Sequence, residues 1–315
     1  METTIVVVAY NSADVLPGCL DALPAASEGI GPLRVVVVDN DSRDDTAAVA
    51  RQHPQVWRVL PMGRNAGYAA AINAGVRAAG VGGPVVVLNP DVRLAPGSLR
   101  RLLEALERDG AGVAVPRLVD ESGRLALSLR REPTVLRAFG EALLGGRRAG
   151  RVAALGEVVS REEVYAAPAW ADWATGAAMV ISRECWRAAG PWDESFFLYS
   201  EETDFALRAR DAGYRLRYVP DAEAVHIGGE SGSSPYLWTI LTCNKVRLYD
   251  RRHRAPLSRL AFRAAVLLGE LLRTPRSATH RAAARALLIP AQRPAQVRGA
   301  LPPAPVEAAS RQSSS

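Results

Sequence analysis

The sequence predicts an α/β fold, doubly wound about a parallel sheet, and three observations carry that reading. Short β-branched runs alternate with segments of helical periodicity over the first 116 residues. Each run is apolar at consecutive positions, as a strand covered on both faces must be. Polar and acidic residues follow each run in turn, at the carboxyl edge where such a sheet binds ligands. The 315 residues are 48% apolar and 23% charged, which excludes collagen, coiled coil and wholesale disorder and allows a sizeable core.

Residues 5–8, 35–38, 56–60 and 85–88 read as buried strands. Between the first two, Leu16, Leu20 and Leu23 recur at helical spacing. Ser42 followed by Asp45 is a capping start for a helix through Gln52. An alanine-rich helix is expected over 65–79, and another over 96–109 with Leu99, Leu102, Leu103 and Leu106 on one face. After Pro116 the rhythm changes. Residues 117–131 read as a hairpin turning at Glu121-Ser122-Gly123, and 132–168 as a mobile excursion of weak periodicity. A strand over 177–181 and a helix over 201–212 come next. An amphipathic helix is expected over 257–272, and a disordered Pro/Ala/Ser-rich end beyond Pro290. This divides the chain into a body, 1–250, with halves 1–116 and 117–250, and a tail, 251–315.

The tail carries 12 Arg against 2 Glu, so the net charge of +6 belongs to it and the body is mildly acidic. Its arginines lack the interleaved aromatics of a single-strand binder, and no nucleic-acid partner is expected. Lys245 is the only lysine. Cys19, Cys185 and Cys243 are far apart with no CxxC, which suits a reducing compartment and no structural zinc. The start lacks a basic n-region and no long uncharged apolar run exists, so neither a signal peptide nor a spanning helix is expected. His53, His253 and His280 read as surface residues.

The strand ends hold the chemistry. The first ends Ala9-Tyr10-Asn11, the second Asp39-Asn40-Asp41-Ser42, and the fourth Asn89-Pro90-Asp91; Gly63-Arg64-Asn65-Ala66-Gly67-Tyr68 follows the third. Acids and amides converging on one edge suit a nucleotide and a metal. No G-x-G-x-x-G, P-loop or G-x-S-x-G elbow is present. Each residue also has a plainer reading. Asp39 could cap a helix, though Ser42 would fill that role; Asn89-Pro90-Asp91 could be a turn; Asn65 and Gly67 are turn residues. Glu201, Glu202 and Asp204 could serve a helix dipole.

Taken together, Val6-Val7-Val8-Ala9-Tyr10-Asn11, Val37-Val38-Asp39-Asn40-x-Ser42, Asn65-x-Gly67 and Leu88-Asn89-Pro90-Asp91 resemble family-2 glycosyltransferases of the GT-A fold. So do Trp173-x-Thr175-Gly176-Ala177, Gly190-x-Trp192-Asp193-Glu194-x-Phe196-Phe197, Glu201-Glu202-Thr203-Asp204 and His226-x-Gly228-Gly229-x-Ser231. The most similar subgroup is the bacterial rhamnosyltransferase-like set acting on cell-envelope glycans. The resemblance covers roughly 3–250 and implies a mixed, mainly parallel sheet with a C-terminal helical tail. It implies transfer, with inversion, from a nucleoside diphosphate sugar, for which the subgroup's commonest donor is dTDP-rhamnose. Ala9, Tyr10, Asn11, Asp39, Asn65, Gly67 and Asn89 fall on the nucleotide side. Asp91 would hold Mg2+ or Mn2+ with His226 nearby, Asn89 standing where the family has a first Asp and offering a carbonyl without charge. Glu202 falls in the slot of the catalytic base, one methylene longer than the family's Asp, with Glu201 as runner-up. Trp173, Thr175 and Gly176 resemble the acceptor-side strand, Trp192 and Asp193 a loop over the sugar, and Arg247 a diphosphate contact. The acceptor would be a glycan or lipid-linked, with the enzyme cytoplasmic and peripheral on the inner membrane face. Arg251, Arg252, Arg254, Arg259 and Arg263 beside Leu257, Leu260, Phe262, Val266 and Leu267 suit an interfacial helix, or one packed on the body. Two rivals stand beside this: a sugar-nucleotide pyrophosphorylase, whose Gly-rich loop after strand one is missing, and a catalytically silent nucleotide- or glycan-binding protein, which Asn89 and Glu202 would favour.

Overall fold

The β-branched runs become strands because stiff, branched side chains pack well on a pleated surface covered on both sides; the run 56–60, with Arg58 within it, is instead an exposed edge strand. In the computed structural model, which describes residues 2–228 and 234–298, the first strands are β1 (Thr3–Ala9), β2 (Leu33–Asp39), β3 (Val56–Pro61), β4 (Val85–Leu88), β5 (Val92–Leu94) and β6 (Val113–Val119). Then come β7 (Leu129–Arg130), β8 (Ala169–Ala171), β9 (Trp173–Ala174), β10 (Ala178–Ile181) and β11 (Leu216–His226). One sheet runs β3-β2-β1-β4-β10-β6-β11-β5 with β8 against β11, and β7 pairs β9 separately. The longer pairings, β1 with β2, β2 with β3 and β6 with β11, are parallel, as is β1 with β4. β10 lies antiparallel between β4 and β6.

Helices α1 (Leu16–Asp21), α2 (Leu23–Ala26), α3 (Thr46–Gln52), α4 (Tyr68–Ala79) and α5 (Ser98–Asp109) join the early strands. Strand parity divides the core in two. Val6, Val8, Val36 and Val38 meet Ala69, Ile72 and Val76 of α4 on one face. Ile5, Val7, Val35 and Val37 meet Leu16, Leu20, Leu99 and Leu102 on the other. Ser42 does not cap α3. Its hydroxyl accepts from Asn11 N–H at 3.0 Å, and the Asp44 carboxylate holds the first turn through Thr46 N–H at 3.1 Å. α4 begins at Tyr68 rather than 65, because side-chain amides hold 65–67 as a loop. The expected hairpin closes only through the Val119–Leu125 bridge, after which the chain leaves to form β7.

The stretch 132–168 is not a structureless excursion. It contains α6 (Val135–Leu144), α7 (Gly146–Ala149) and a 3-10 turn, Glu162–Ala166. Thr134 caps α6, accepting from Arg137 N–H at 3.2 Å. The Arg131 guanidinium donates to the carbonyls of Gly150, Gly156 and Val158 at 3.3, 2.9 and 3.1 Å. Order here comes from polar ties, which leave no apolar period in the sequence.

The remaining helices are α8 (Arg183–Ala189), α9 (Glu201–Asp211), α10 (Pro235–Arg252), α11 (Pro256–Arg273), α12 (Ala278–Leu288) and α13 (Ala295–Arg298). The division at 250 therefore falls inside α10, and α11 packs on the body. Phe262 and Ala265 join Ala138 of α6 and Val246 and Tyr249 of α10, and the Tyr249 and Phe262 rings stack at 3.8 Å. Arg252 pairs Asp211 at 2.7 Å, and Arg251 and Arg263 pair Asp193 and Asp250. Of the apolar residues expected on an interfacial helix, Phe262 is buried, Val266 and Leu267 are half-buried, and Leu257 and Leu260 stay exposed. A 3-10 turn and α13 lie within the segment read as disordered; 299–315 lie outside the described residues. The three cysteines are buried free thiols, and no helix among the described residues is long and apolar enough to cross a membrane. Phe262→Ala should cost about 3–5 kcal/mol. Urea unfolding should show that loss in one transition, because α11 shares a core with α6 and α10.

Candidate active site

Parallel register aligns the ends of three strands. Ala9 pairs Asp39, and Val7 pairs Leu88, so Tyr10, Asn40 and Asn89 emerge along one edge. The segments there hold one another. Asn40 N–H donates to Ala9 O at 2.8 Å, Ser42 N–H to Asp39 Oδ1 at 3.1 Å, and Arg43 N–H to Asn11 Oδ1 at 2.8 Å. Asn11 and Asp41 adopt left-handed backbone with φ of 50° and 73°. The buried Asn40 carboxamide donates to Asn65 Oδ1 at 3.0 Å and accepts from Ala66 N–H at 2.9 Å. Gly67, at φ 89°, serves a close approach within the protein: a Cβ there would come within 2.4 Å of Phe197 O, which accepts from Tyr68 N–H at 2.9 Å. The Tyr10 ring is half in solvent.

β5 pairs antiparallel with β11, Val92 opposite His226, and this carries the imidazole beside Asp91. Nε2 of His226 lies 3.4 Å from Asp91 Oδ2, which also accepts from Gly228 N–H at 3.0 Å. Although burial opposes it, the bond and charge of His226 and the Gly228 N–H hold the Asp91 carboxyl below the usual range. Asp91 Oδ1 is buried without a hydrogen-bond partner. The Gly228 N–H therefore serves Asp91; Gly229 and Ser231 lie outside the described residues. The antiparallel pairing of Ala178 with Leu88 brings Gly176 over Asn89, whose N–H donates to Ala177 O at 2.8 Å. The Tyr68 hydroxyl donates to Asn89 Oδ1 at 2.7 Å and lies 3.0 Å from Gly176 O. Burial and the charges of Glu201, Glu202 and Asp91 push its pKa far up, so it remains a donor.

α9 begins abruptly. Tyr199 and Ser200 both have positive φ, 64° and 76°, a conformation that costs energy for residues with side chains. Asn244 of α10 holds this turn, donating from its fully buried carboxamide to Leu198 O at 2.9 Å and Tyr199 O at 3.3 Å. Glu201 and Glu202 follow, each with a buried Oε2 that has no hydrogen-bond partner. Burial, then repulsion from Glu202, raises the Glu201 carboxyl well above its ordinary range. Burial raises Glu202 to about 7, with backbone N–H groups and Arg130 limiting the rise. Asp204 pairs Arg208 at 2.7 Å instead of entering the site.

Tyr68, Asn89, Glu201, Glu202 and His226 line one cavity of about 850 Å³, with Trp173, Thr175 and Gly176. The Trp173 indole donates to Arg131 O at 3.0 Å. Ala9, Tyr10, Asn11, Asp39, Asn65 and Gly67 lie outside that cavity, on the strand-end edge. Trp192, Asp193 and Arg247 line no part of it. Trp192 is 1% exposed and stacked on Phe205 at 5.1 Å. Asp193 pairs Arg251 in a separate surface pocket, and Arg247 donates to Ser195 O at 2.7 Å and covers Phe196. Reading the sequence missed Asn244, Ser128, Arg130, Lys245 and His280. The Ser128 hydroxyl is buried without a partner on the cavity wall. Lys245, the sole lysine, bridges Glu141 at 3.0 Å and Glu157 at 2.6 Å. His280 also lines the cavity, bonded to Glu270 at 2.7 Å, and His253 stacks on Tyr249 at 3.9 Å; neither is a plain surface residue. Among the described residues no three His, Cys, Asp or Glu side chains gather as a metal cluster.

Comparison with known proteins shows the family and agrees with the fold. Residues 4–151 match the model of glycosyl transferase family 2, and 85–255 that of glycosyl transferase family group 2. The chain is 33% identical over 294 residues to the N-acetylglucosaminyl-diphospho-decaprenol L-rhamnosyltransferase of Mycobacterium tuberculosis, covering 86% of this chain and 94% of that one. It is 25% identical over 229 residues to the low-salt glycan biosynthesis hexosyltransferase Agl10 of Haloferax volcanii, covering 71% of this chain and 67% of that one. In fold it is similar to the mannosyltransferase PcManGT of Pyrobaculum calidifontis in complex with GDP-Man and Mn2+ (TM-score 0.56, 18% identity, 91% of this chain and 81% of that). It is similar too to S. aureus TarS 1-349 in complex with UDP-GlcNAc (TM-score 0.55, 16% identity, 94% and 83%). Asn244→Ala should cost about 1–3 kcal/mol by stripping the donor from two carbonyls of a strained turn; thermal unfolding measures it.

Proposed function

Because the chain belongs to glycosyltransferase family 2 and is a glycosyltransferase, we propose that it inverts the anomeric carbon of a nucleoside diphosphate sugar while moving that sugar to a lipid-linked glycan. The observation that carries the reading is the shared wall: Tyr68 ties Asn89, next to Asp91, into the cavity that holds Glu201 and Glu202. The nucleotide lies along the strand-end edge, on Ala9, Tyr10, Asn11, Asp39 and Asn65. The acceptor enters the cavity from the side of Trp173, Thr175 and Gly176.

Glu202 is the base. A carboxyl near 7 is ionised often enough to act, yet basic enough to take a hydroxyl proton. Glu201, raised further by its neighbour, keeps its proton and spares the site a second adjacent negative charge. The acceptor hydroxyl gives its proton to Glu202 as its oxygen attacks the anomeric carbon, and the nucleoside diphosphate leaves from the opposite face. Asp91, with its orphaned Oδ1, and His226 would hold a divalent cation. When bound, Mg2+ or Mn2+ would neutralise the charge that develops on the departing diphosphate. The name of the M. tuberculosis relative supports rhamnose as the sugar and a sugar diphosphate on a decaprenol-like lipid as the acceptor; the donor in this reading is dTDP-rhamnose. Buried free thiols and the arginine-rich α11, with Leu257 and Leu260 exposed, support a cytoplasmic enzyme peripheral on the membrane face.

A donor screen reading nucleoside diphosphate release tests the reading, and binding without hydrolysis or transfer for any donor would favour a silent binding protein. Glu202→Gln should lower kcat by about a hundred- to ten-thousandfold and leave nucleotide affinity intact in calorimetry. The base works only when ionised, so kcat should rise with pH through a step near 7, and that step should vanish in Glu202→Gln. Asp91→Ala should remove the Mn2+-dependent part of nucleoside diphosphate binding, measured by the same calorimetry.

A further inference from the structure

A cavity of about 850 Å³ stands near the upper end of small-ligand sites, and one monosaccharide at Glu202 leaves much of it unfilled. Successive contacts trace its course. Arg130 lies within the field of Glu202 and of Glu157 and Glu141. Those two glutamates hold Lys245. The Glu141 carbonyl then accepts from Arg273 of α11 at 2.9 Å, and Arg273 lies beside Gly145. At this far end the walls include small apolar residues, Ala138 and Ala142 from α6 and Ala265, Val266 and Gly269 from α11, beside Arg273 and Glu270, to which Trp238 and His280 are bonded. Gly269 sits so near α6 that a Cβ on it would come within 3.2 Å of the Ala142 Cα.

The surface around that end carries a second signal. Leu143 and Leu144 immediately precede Gly145, and Leu271 and Leu272 flank Arg273 on its N-terminal side. All four are exposed, Leu143 at 66% and Leu271 at 44%. Single exposed leucines are ordinary; here four, none lining the cavity, adjoin lining residues of two packed helices, Ala142 and Gly145 on α6 and its C-cap, Glu270 and Arg273 on α11, and mark a surface able to interact. The exposed Arg147 and Arg148 follow the same turn.

We propose that the α6–α11 end of the cavity binds the apolar chain of an amphiphilic acceptor, and that the leucine rim seats this opening on an anionic lipid surface. The proposal rests on the reading of Glu202 as the point where the acceptor's sugar reacts. Polar head, then linker, then apolar chain is the order of an amphiphile. It is also the order of the walls: carboxylates, then the Arg130–Glu157–Glu141–Lys245 group, then alanine, valine and leucine. Leucines interspersed with arginines fit the boundary of an anionic bilayer.

The test uses the full chain with N-acetylglucosaminyl diphosphate carried on a decaprenyl or a geranyl chain, in phosphatidylglycerol–phosphatidylcholine vesicles. The wild type should show a kcat/KM at least about tenfold higher for the long chain, one decade being 1.4 kcal/mol of preference. Leu143→Asp with Leu271→Asp should bring that preference close to one. In parallel, a photoreactive polyprenyl diphosphate in the same vesicles should label peptides of α6 and α11. Equal use of both chains by the wild type, or labelling elsewhere, overturns the proposal. So does a dimer that hides the leucines and takes no label. If labelling falls on α6 and α11 while neither acceptor is glycosylated, the chain-binding site stands and the assignment of the reaction fails.

Discussion

One strand running against its neighbours sets the geometry on which the site depends. β10 enters antiparallel between β4 and β6, so its leading turn arrives where β4 ends. That direction lays Gly176 over Asn89 and lets a single phenol, Tyr68, touch both. Were β10 parallel, the Trp173–Gly176 segment would emerge at the opposite edge of the sheet. The parallel half supplies the strand-end edge; the antiparallel insertion supplies the segment laid over Asn89. Glu202 and Asn89 share the cavity wall through that reversal, while the antiparallel β5–β11 pairing sets Asp91 against His226 of the same wall.

The carboxylates make the site costly to build. Two adjacent glutamates are buried with unpaired oxygens, after two residues held in left-handed backbone. Such groups persist only where the surroundings over-determine them. Asn244 clasps the turn from α10, and the Asn40–Asn65 pair fixes the loop before Tyr68. Helix α10, itself packed on α11 and α12, is therefore part of the scaffold that holds Glu201 and Glu202, although the charge pattern sets the residues beyond it apart as a tail.

How much of this was legible in the sequence depends on what each residue does. The strands were legible because β-branched runs buried on both faces leave an unbroken signal, as in Val35–Val38. Asn89, Glu201, Glu202 and His226 were singled out by motif and line one cavity, with Asp91 against His226; the role of each is proposed. The place of Trp192 was not legible, because an indole stacked in the core and one over a ligand have the same letter; only its contact with Phe205 distinguishes them. Residues 132–168 were misread because their order comes from Arg131 binding three carbonyls and from Lys245 between two glutamates, interactions with no period. Gly67 was legible as a close approach, but its neighbour is Phe197 of the same chain.

Lys245 has a consequence outside catalysis. It is the chain's only side-chain amine, enclosed between α6 and α10, and its two glutamates, acting against burial, keep it protonated well above ordinary pH. An acylating reagent needs the neutral amine, and the folded seam withholds it, although the side chain borders the cavity. Acylation at this one position therefore acts as a chemical clock for the parting of α6 from α10, readable by mass with no competing lysine to confuse the count.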